Sequence, residues 1–321
     1  MQIVIDINGR VPVCAQMIGQ IKRAVLSDEI GPGAALPSVR QLANDLDLDS
    51  ETVAKAYRVL ESESIIQTRG SRGPFIDGQG KTALHLMAEM SLARNIHDTL
   101  VSPVYFTNDR IEALGSSVPS TGMGGDLIDL VDHDEITDLF LADVSGHGVG
   151  AGIVMAMLKA SIRMGLRRRE DLSELLGNLN EVLENTTSSE LYATLACLRV
   201  ERNGRVEYAL AGHHHIAHYR ASTSELRRLA HRNFPLGLLD GRTYGTATVT
   251  PEPGDLLAVY TDGLNETSDA FGAELGHQAI ERTVTALAGL PLGEIRREVF
   301  DLAERHGKQS DDRTLLLVRF L

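Results

Sequence analysis

Four aspartates lie far apart in the chain, each beside glycine or at the end of an apolar run. They are Asp126 in GGDLIDL, Asp143 in ADVSGHGVGAG, Asp262 in YTDGLNE and Asp311 in QSDDRTLLL. Carboxylates gathered from separate strand ends suit hard divalent cations, because oxygen donors favour magnesium, calcium and manganese. Two such ions, about 3.5–4 Å apart, lower the pKa of a shared water and clamp phosphoryl oxygens. Glycine neighbours let an ion approach the backbone closely. Taken singly, an Asp-Gly pair is most often a turn; the ordered set is what points to metal chemistry.

The elements that must position these aspartates are short apolar runs between turns. Leu127 to Val131, Ile136 to Ala142, Leu191 to Val200, Val206 to Ala211, Leu256 to Tyr260 and Leu315 to Phe320 read as strands. Helical stretches are expected near 149–167 and 171–185, with a third over about 276–305. Strands with helices segregated between them predict an α+β layered domain over residues 105–321. Asp143 then ends one strand and Asp262 another, whereas Asp126 and Asp311 each precede one.

A different module comes first. Ile18, Ile21 and Val25 have helical spacing, a second helix follows Pro37 and Ser38, and Asp49 or Ser50 caps a third bearing Val53, Tyr57 and Leu60. A short hairpin follows, with its turn at Gly70 to Gly73. Three helices and a hairpin over residues 1–77 form the pattern of a winged helix-turn-helix. Residues 78–104 read as a joint, GQGK, and one amphipathic helix with Leu86, Met90, Ala93, Ile96 and Leu100 on its apolar stripe. That stripe suits core or a dimer seam, and its place between modules suits signal transfer.

Composition narrows the classes. The net charge of −13 argues against a general nucleic-acid or anionic-membrane binder. Two cysteines, Cys14 and Cys197, make neither a disulfide framework nor a zinc cluster. No secretory leader is evident, and no stretch approaches the roughly 18 apolar residues of a membrane helix. The expectation is a soluble cytoplasmic protein without a membrane partner.

The run GPGAALPSVRQLANDLDLDSETVAKAYRVLESESIIQTRG resembles the DNA-binding domain of GntR-type bacterial regulators across residues 1–77. The resemblance implies a third helix that enters the major groove and a wing on the DNA backbone. Arg40, Ser50, Thr52, Lys55, Arg58, Arg69 and Arg72 are then the candidate DNA contacts. Eight basic and ten acidic residues in 1–80 leave the module acidic, which weakens phosphate attraction. The alternative use of the module is dimerisation or protein docking.

From about Leu92 onward the chain resembles the SpoIIE-type branch of the metal-dependent (PPM) serine/threonine phosphatases. The resemblance rests on GGDLIDL, DVSGHGVGAG, the AGH turn at 211–213, FPLGLL, PGDLLAVYTDGLNE and SDDRTLLL, in that order. It implies an α/β/β/α sandwich and two Mn2+ or Mg2+ ions. It implies that Asp143 bridges the ions, that the Val144 carbonyl assists the first and that Asp262 and Asp311 hold the second. Asp126 is a ligand or supports one, and Asp312 supports, for example toward an additional metal. The implied reaction is hydrolysis of phosphoserine or phosphothreonine, with no covalent enzyme intermediate. The implied substrate is a small regulatory phosphoprotein such as an anti-sigma-factor antagonist.

Departures from the family pattern are Leu127 and Ile128, where an aromatic pair is common, and His214 and His215, where prolines are common. Neither removes an expected ligand. His213, His214 and His215 cannot all meet one zinc ion if they lie in a strand, where neighbours face opposite sides. His213 is expected to be structural or to support the metal ligands. His147, beside Asp143, either donates to substrate phosphate or braces its loop. Arg167, Arg168 and Arg169 read as a solvated helix end. The rival reading of the whole chain is a DNA-binding transcription regulator whose C-terminal domain senses a metal or ligand with little turnover.

Overall fold

The computed structural model describes residues 2–68, 73–133, 135–187 and 191–321. The chain forms two compact units, Met1–Ala93 and Arg94–Leu321.

In the first unit, α1 (Val13–Leu26), α2 (Val39–Leu46) and α3 (Ser50–Ser62) precede a hairpin of β1 (Ile66–Thr68) and β2 (Pro74–Ile76). Capping explains the boundaries. The Ser38 side chain accepts from the Gln41 amide, and α2 ends at Asp47, whose φ of 54° is left-handed. Asp49 accepts from both the amide and the hydroxyl of Thr52, each at 2.7 Å. The helices bury Met17, Ile21, Val25, Leu42, Val53, Tyr57 and Leu60 against Ile66 and Ile76. Burying these side chains stabilises the unit by about 1.5–3 kcal/mol each before entropy is counted.

Helix α4 (Gly80–Leu100) begins inside the expected GQGK joint, so Gly80 and Lys81 are helical. Three positions of its predicted stripe are open: Leu86, Met90 and Ile96 are 55%, 56% and 56% exposed.

In the second unit, β3 (Val104–Thr107), β4 (Ile111–Val118), β9 (Ile216–Arg220), β10 (Glu225–Leu229), β12 (Leu256–Tyr260) and β13 (Arg313–Phe320) form one sheet, in the order β10-β9-β12-β13-β4-β3. The other contains β5 (Leu127–His133), β6 (Ile136–Val144), β7 (Ala193–Glu201), β8 (Val206–Ala211) and β11 (Ala247–Val249), in the order β11-β8-β7-β6-β5. The pairings within both sheets are antiparallel. Leu139, Leu141, Ala196 and Leu198 of one sheet meet Leu257, Val259, Leu316 and Val318 of the other. Helices α5 (Val149–Arg167) and α6 (Leu172–Thr186) cover the outer face of the five-stranded sheet. Helices α8 (His277–Leu287) and α9 (Leu292–His306) cover the six-stranded one. The short α7 (Asp262–Asn265) follows β12 directly. The layers are therefore α/β/β/α, as the family resemblance implied.

Two expectations change. The third helical stretch is two helices, because the chain breaks between Leu287 and Leu292 and Pro291 caps α9. Also, α5 is long and apolar enough by composition to cross a membrane. Its buried face, including Val154, Met155, Leu158 and Ile162, is a wall of the core, so packing accounts for its hydropathy.

Candidate active site

The sandwich brings the aspartates together from both sheets. Asp143 and Val144 end β6, Asp126 directly precedes β5, Asp262 follows β12 by two residues, and Asp311 and Asp312 directly precede β13. Strands β12 and β13 pair antiparallel, with Tyr260 opposite Leu315, which sets Asp262 beside the Asp311–Asp312 turn.

Burial and mutual repulsion set the electrostatics of the aspartate cluster. Burial pushes the Asp143 carboxyl up to about 7, helped by repulsion from Asp262, Asp311 and Asp312. Burial, then the Asp143 charge, holds Asp126 well above the ordinary carboxylate range. Burial, then Asp311, raises Asp262. Asp126 and Asp143 are themselves within hydrogen-bonding reach. Clustered oxygen donors whose ionised forms repel one another fit hard divalent cations, which relieve that repulsion.

Neighbouring groups fix the carboxylates. The Thr261 hydroxyl donates to Asp126 Oδ2 at 2.9 Å and accepts from the Thr314 amide at 3.1 Å. Asp312 is held by two amides. Its Oδ1 accepts from the Ser120 amide and its Oδ2 from the Gly125 amide, both at 2.7 Å. Asp312 thus ties down the glycine loop that ends at Asp126. Asp311 Oδ1 accepts from the Asp312 amide at 2.8 Å, and Asp311 is exposed. Two glycines are required by close approach. A Cβ on Gly125 would meet the Val144 carbonyl at 2.8 Å, and one on Gly263 would run into the Asp312 carbonyl.

His147 is exposed between two left-handed glycines, Gly146 at φ 88° and Gly148 at φ 78°. That exposure does not suit a brace. His213 Nδ1 lies 3.2 Å from the Thr194 hydroxyl, and Thr194 sits opposite Asp143 in the β6–β7 register. Residues 213–215 lie between β8 and β9 and in neither, so strand alternation does not govern the three histidines. Arg167 ends α5, and Arg168 is its cap.

Sequence reasoning missed Thr261 and His97. Thr261 was adjacent to a flagged aspartate, and a hydroxyl there was the signal. His97 is buried in α4, with its Nε2 2.9 Å from the Gly124 carbonyl, two residues before Asp126. A histidine on an otherwise apolar stripe was the clue. In the first unit, Arg40, Ser50, Lys55 and Arg58 are exposed, whereas the Thr52 hydroxyl is taken by Asp49. Arg69 and Arg72 lie outside the described residues.

The profile of Stage II sporulation protein E (SpoIIE) matches residues 133–321, and that of bacterial regulatory proteins, gntR family, matches residues 15–76. Phosphoserine phosphatase RsbU of Bacillus subtilis is 24% identical over 238 residues, which are 73% of this chain and 70% of RsbU. HTH-type transcriptional repressor YtrA of the same organism is 35% identical over 110 residues, 34% of this chain and 84% of YtrA. Among solved structures, the SiaA-PP2C domain of Pseudomonas aeruginosa superposes with a TM-score of 0.63 at 19% identity, covering 74% of this chain and 98% of that one.

Proposed function

We propose that this chain, which belongs to the SpoIIE family and carries a gntR-family module at its N-terminus, removes phosphate from phosphoserine or phosphothreonine of a regulatory protein. It is a metal-dependent protein serine/threonine phosphatase. The observation that carries the site assignment is the mutual repulsion of Asp126, Asp143, Asp262 and Asp311 at the strand ends. Those four carboxylates and the Val144 carbonyl would hold two Mn2+ or Mg2+ ions, which supply water activation and charge neutralisation for attack on phosphorus.

The protein's own groups set the geometry. Thr261 orients Asp126, and Asp312 holds the loop that delivers it. Asp143, at the end of β6 among carboxylates from both sheets, would be the ligand shared by the ions. His147, exposed on its loop, is the candidate donor to substrate phosphate. The phosphoprotein we favour is an anti-sigma-factor antagonist, by kinship with the family; RsbU's own description as a phosphoserine phosphatase supports the phosphoserine class. The purified chain with Mn2+ should hydrolyse a generic phosphate ester, and Asp262→Asn should lose at least about 100-fold, or about 2.7 kcal/mol in the barrier. Undiminished turnover in that variant would remove Asp262 from the site.

For the first unit we propose DNA binding that regulates, or is regulated by, the phosphatase. Exposed Arg40, Lys55 and Arg58 support it. Lys55→Ala with Arg58→Ala should weaken DNA binding and lower the salt slope by about 1–2, read by fluorescence anisotropy across a salt series. An unchanged slope would favour protein docking instead. Exposed Leu86, Met90 and Ile96 on α4 support a homodimer seam, and His97 gives that helix a hydrogen bond to the loop before Asp126, in keeping with a signalling role. A cytoplasmic location completes the proposal; both cysteines are free.

A further inference from the structure

The loop between β8 and β9 places His214 and His215 against His277, the first residue of α8, 62 positions further along the chain. The His214 and His277 rings have centroids 4.7 Å apart, and the His215 and His277 rings 4.8 Å. One ring nitrogen from each of the three lies within 4.8 Å of the others. All three residues are partly buried.

Each of the three histidines also has one ring nitrogen held by a neighbouring group. His214 Nδ1 donates to the His215 carbonyl at 2.9 Å, which fixes the tautomer and leaves Nε2 with its lone pair. That Nε2 is buried and has no hydrogen-bond partner among the described residues. His215 Nε2 lies 2.7 Å from Glu281 Oε1, and Arg228 holds the same carboxylate with contacts of 2.7 and 2.8 Å. His277 Nδ1 lies 3.0 Å from the Tyr260 hydroxyl. A carbonyl, a carboxylate and a hydroxyl as partners of imidazole nitrogens are the kind of support that orients metal-binding rings.

We propose that His214, His215 and His277 form a second metal site, chemically distinct from the carboxylate centre, which takes zinc or a similarly borderline transition ion. Imidazole nitrogen suits zinc, whereas carboxylate oxygen suits magnesium and manganese. Three nitrogens and one open position suit a tetrahedral ion. Nitrogens at about 2.0–2.1 Å from zinc are about 3.4 Å apart, so from separations of up to 4.8 Å the rings must close by up to about 1.4 Å, within reach of side-chain rotation. The bound ion would tie the β8–β9 loop to α8. It would also fix, through His277, the hydroxyl of Tyr260, two residues before Asp262.

The test uses the full chain, stripped of metal and then saturated with Mg2+ to fill the carboxylates. Added Co2+, as a visible probe for zinc, should give one equivalent of intense four-coordinate absorption that Zn2+ displaces. His214→Gln and His277→Gln should each lose it, with zinc affinity down at least about 100-fold, whereas Asp262→Asn should keep it. Melting temperatures in chelator separate a lost ligand from a lost fold. His277→Cys supplies a gain of signal, a thiolate-to-cobalt charge-transfer band. Absence of that band, or cobalt absorption that survives His277→Gln, overturns the proposal. So does absorption that disappears with Asp262→Asn, which would place the ion among the carboxylates and leave the phosphatase assignment standing.

Discussion

Asp143→Asn should do two opposite things: lower Mn2+-supported ester hydrolysis by at least about 1,000-fold, or about 4 kcal/mol in the barrier, and raise the stability of the metal-free protein. The first effect follows from position. Asp143 ends β6 at the meeting point of carboxylates from both sheets, so a neutral amide there would weaken both ions rather than one. The second follows from the sign of its shift. The folded carboxyl is pushed up to about 7 from an ordinary 3.8, by burial first and then by three neighbouring aspartates. Between those values the folded state binds more protons than the unfolded one, so stability falls as pH rises. The interval corresponds to a penalty on the order of 4 kcal/mol at its upper end. Asparagine removes that ionisation. Thermal melts in chelator from pH 4 to 8 should therefore decline for the wild type through this window and decline less for Asp143→Asn. Mn2+ should restore the wild type near pH 7.5 and leave the variant almost unmoved. Equal decline in both proteins would mean that Asp143 does not carry the repulsion.

The aspartate cluster was legible in the sequence because carboxylates gathered at strand ends beside small residues leave marks that survive in one dimension. GGD, DVSGHG and TDG are such marks. The central strands were legible for a related reason. β6, β7, β12 and β13 are buried on both faces and read as near-continuous apolar runs. The edge strands β10 and β11 were not. β10 is ELRRL with most positions open, and β11 is only three residues, so neither carries an apolar signal. β4 contains Gly115, Ser116 and Ser117, which have weak strand preference and are placed by pairing with β13 along its length.

Contacts made across long separations were equally hidden. Nothing local to His277 points to His214, and nothing local to Thr261 points to Asp126. The expectation that consecutive histidines diverge came from assuming a strand; a loop frees their directions, and the converging partner comes from another helix. Arg69 and Arg72, expected at the wing, fall outside the described residues, so the first unit's basic face is represented by Arg40, Lys55 and Arg58.

Asp312 separates two roles that the resemblance left together, and Asp312→Ala should resolve them. As a metal ligand alone, its loss would weaken ion affinity and leave the metal-free fold nearly intact, as Asp311→Ala should, because Asp311 is exposed. As the anchor of the glycine loop, its loss would cost stability in chelator. The structure favours the anchor. The carboxylate is 4% exposed and accepts two amides across 192 and 187 residues of sequence. Hydrogen bonds to a charged group contribute about 1.5–3 kcal/mol each, and stranding buried donors adds to the cost. The expected loss is on the order of 3–5 kcal/mol in denaturant unfolding. Turnover should fall with it, because Gly125 leads directly into Asp126, and a displacement of about 1 Å there can cost on the order of 100-fold. Excess Mn2+ should rescue Asp311→Ala in part and Asp312→Ala very little, since added ion restores occupancy but not the loop. Rescue of Asp312→Ala by Mn2+, together with unchanged unfolding in chelator, would return Asp312 to the ligand set.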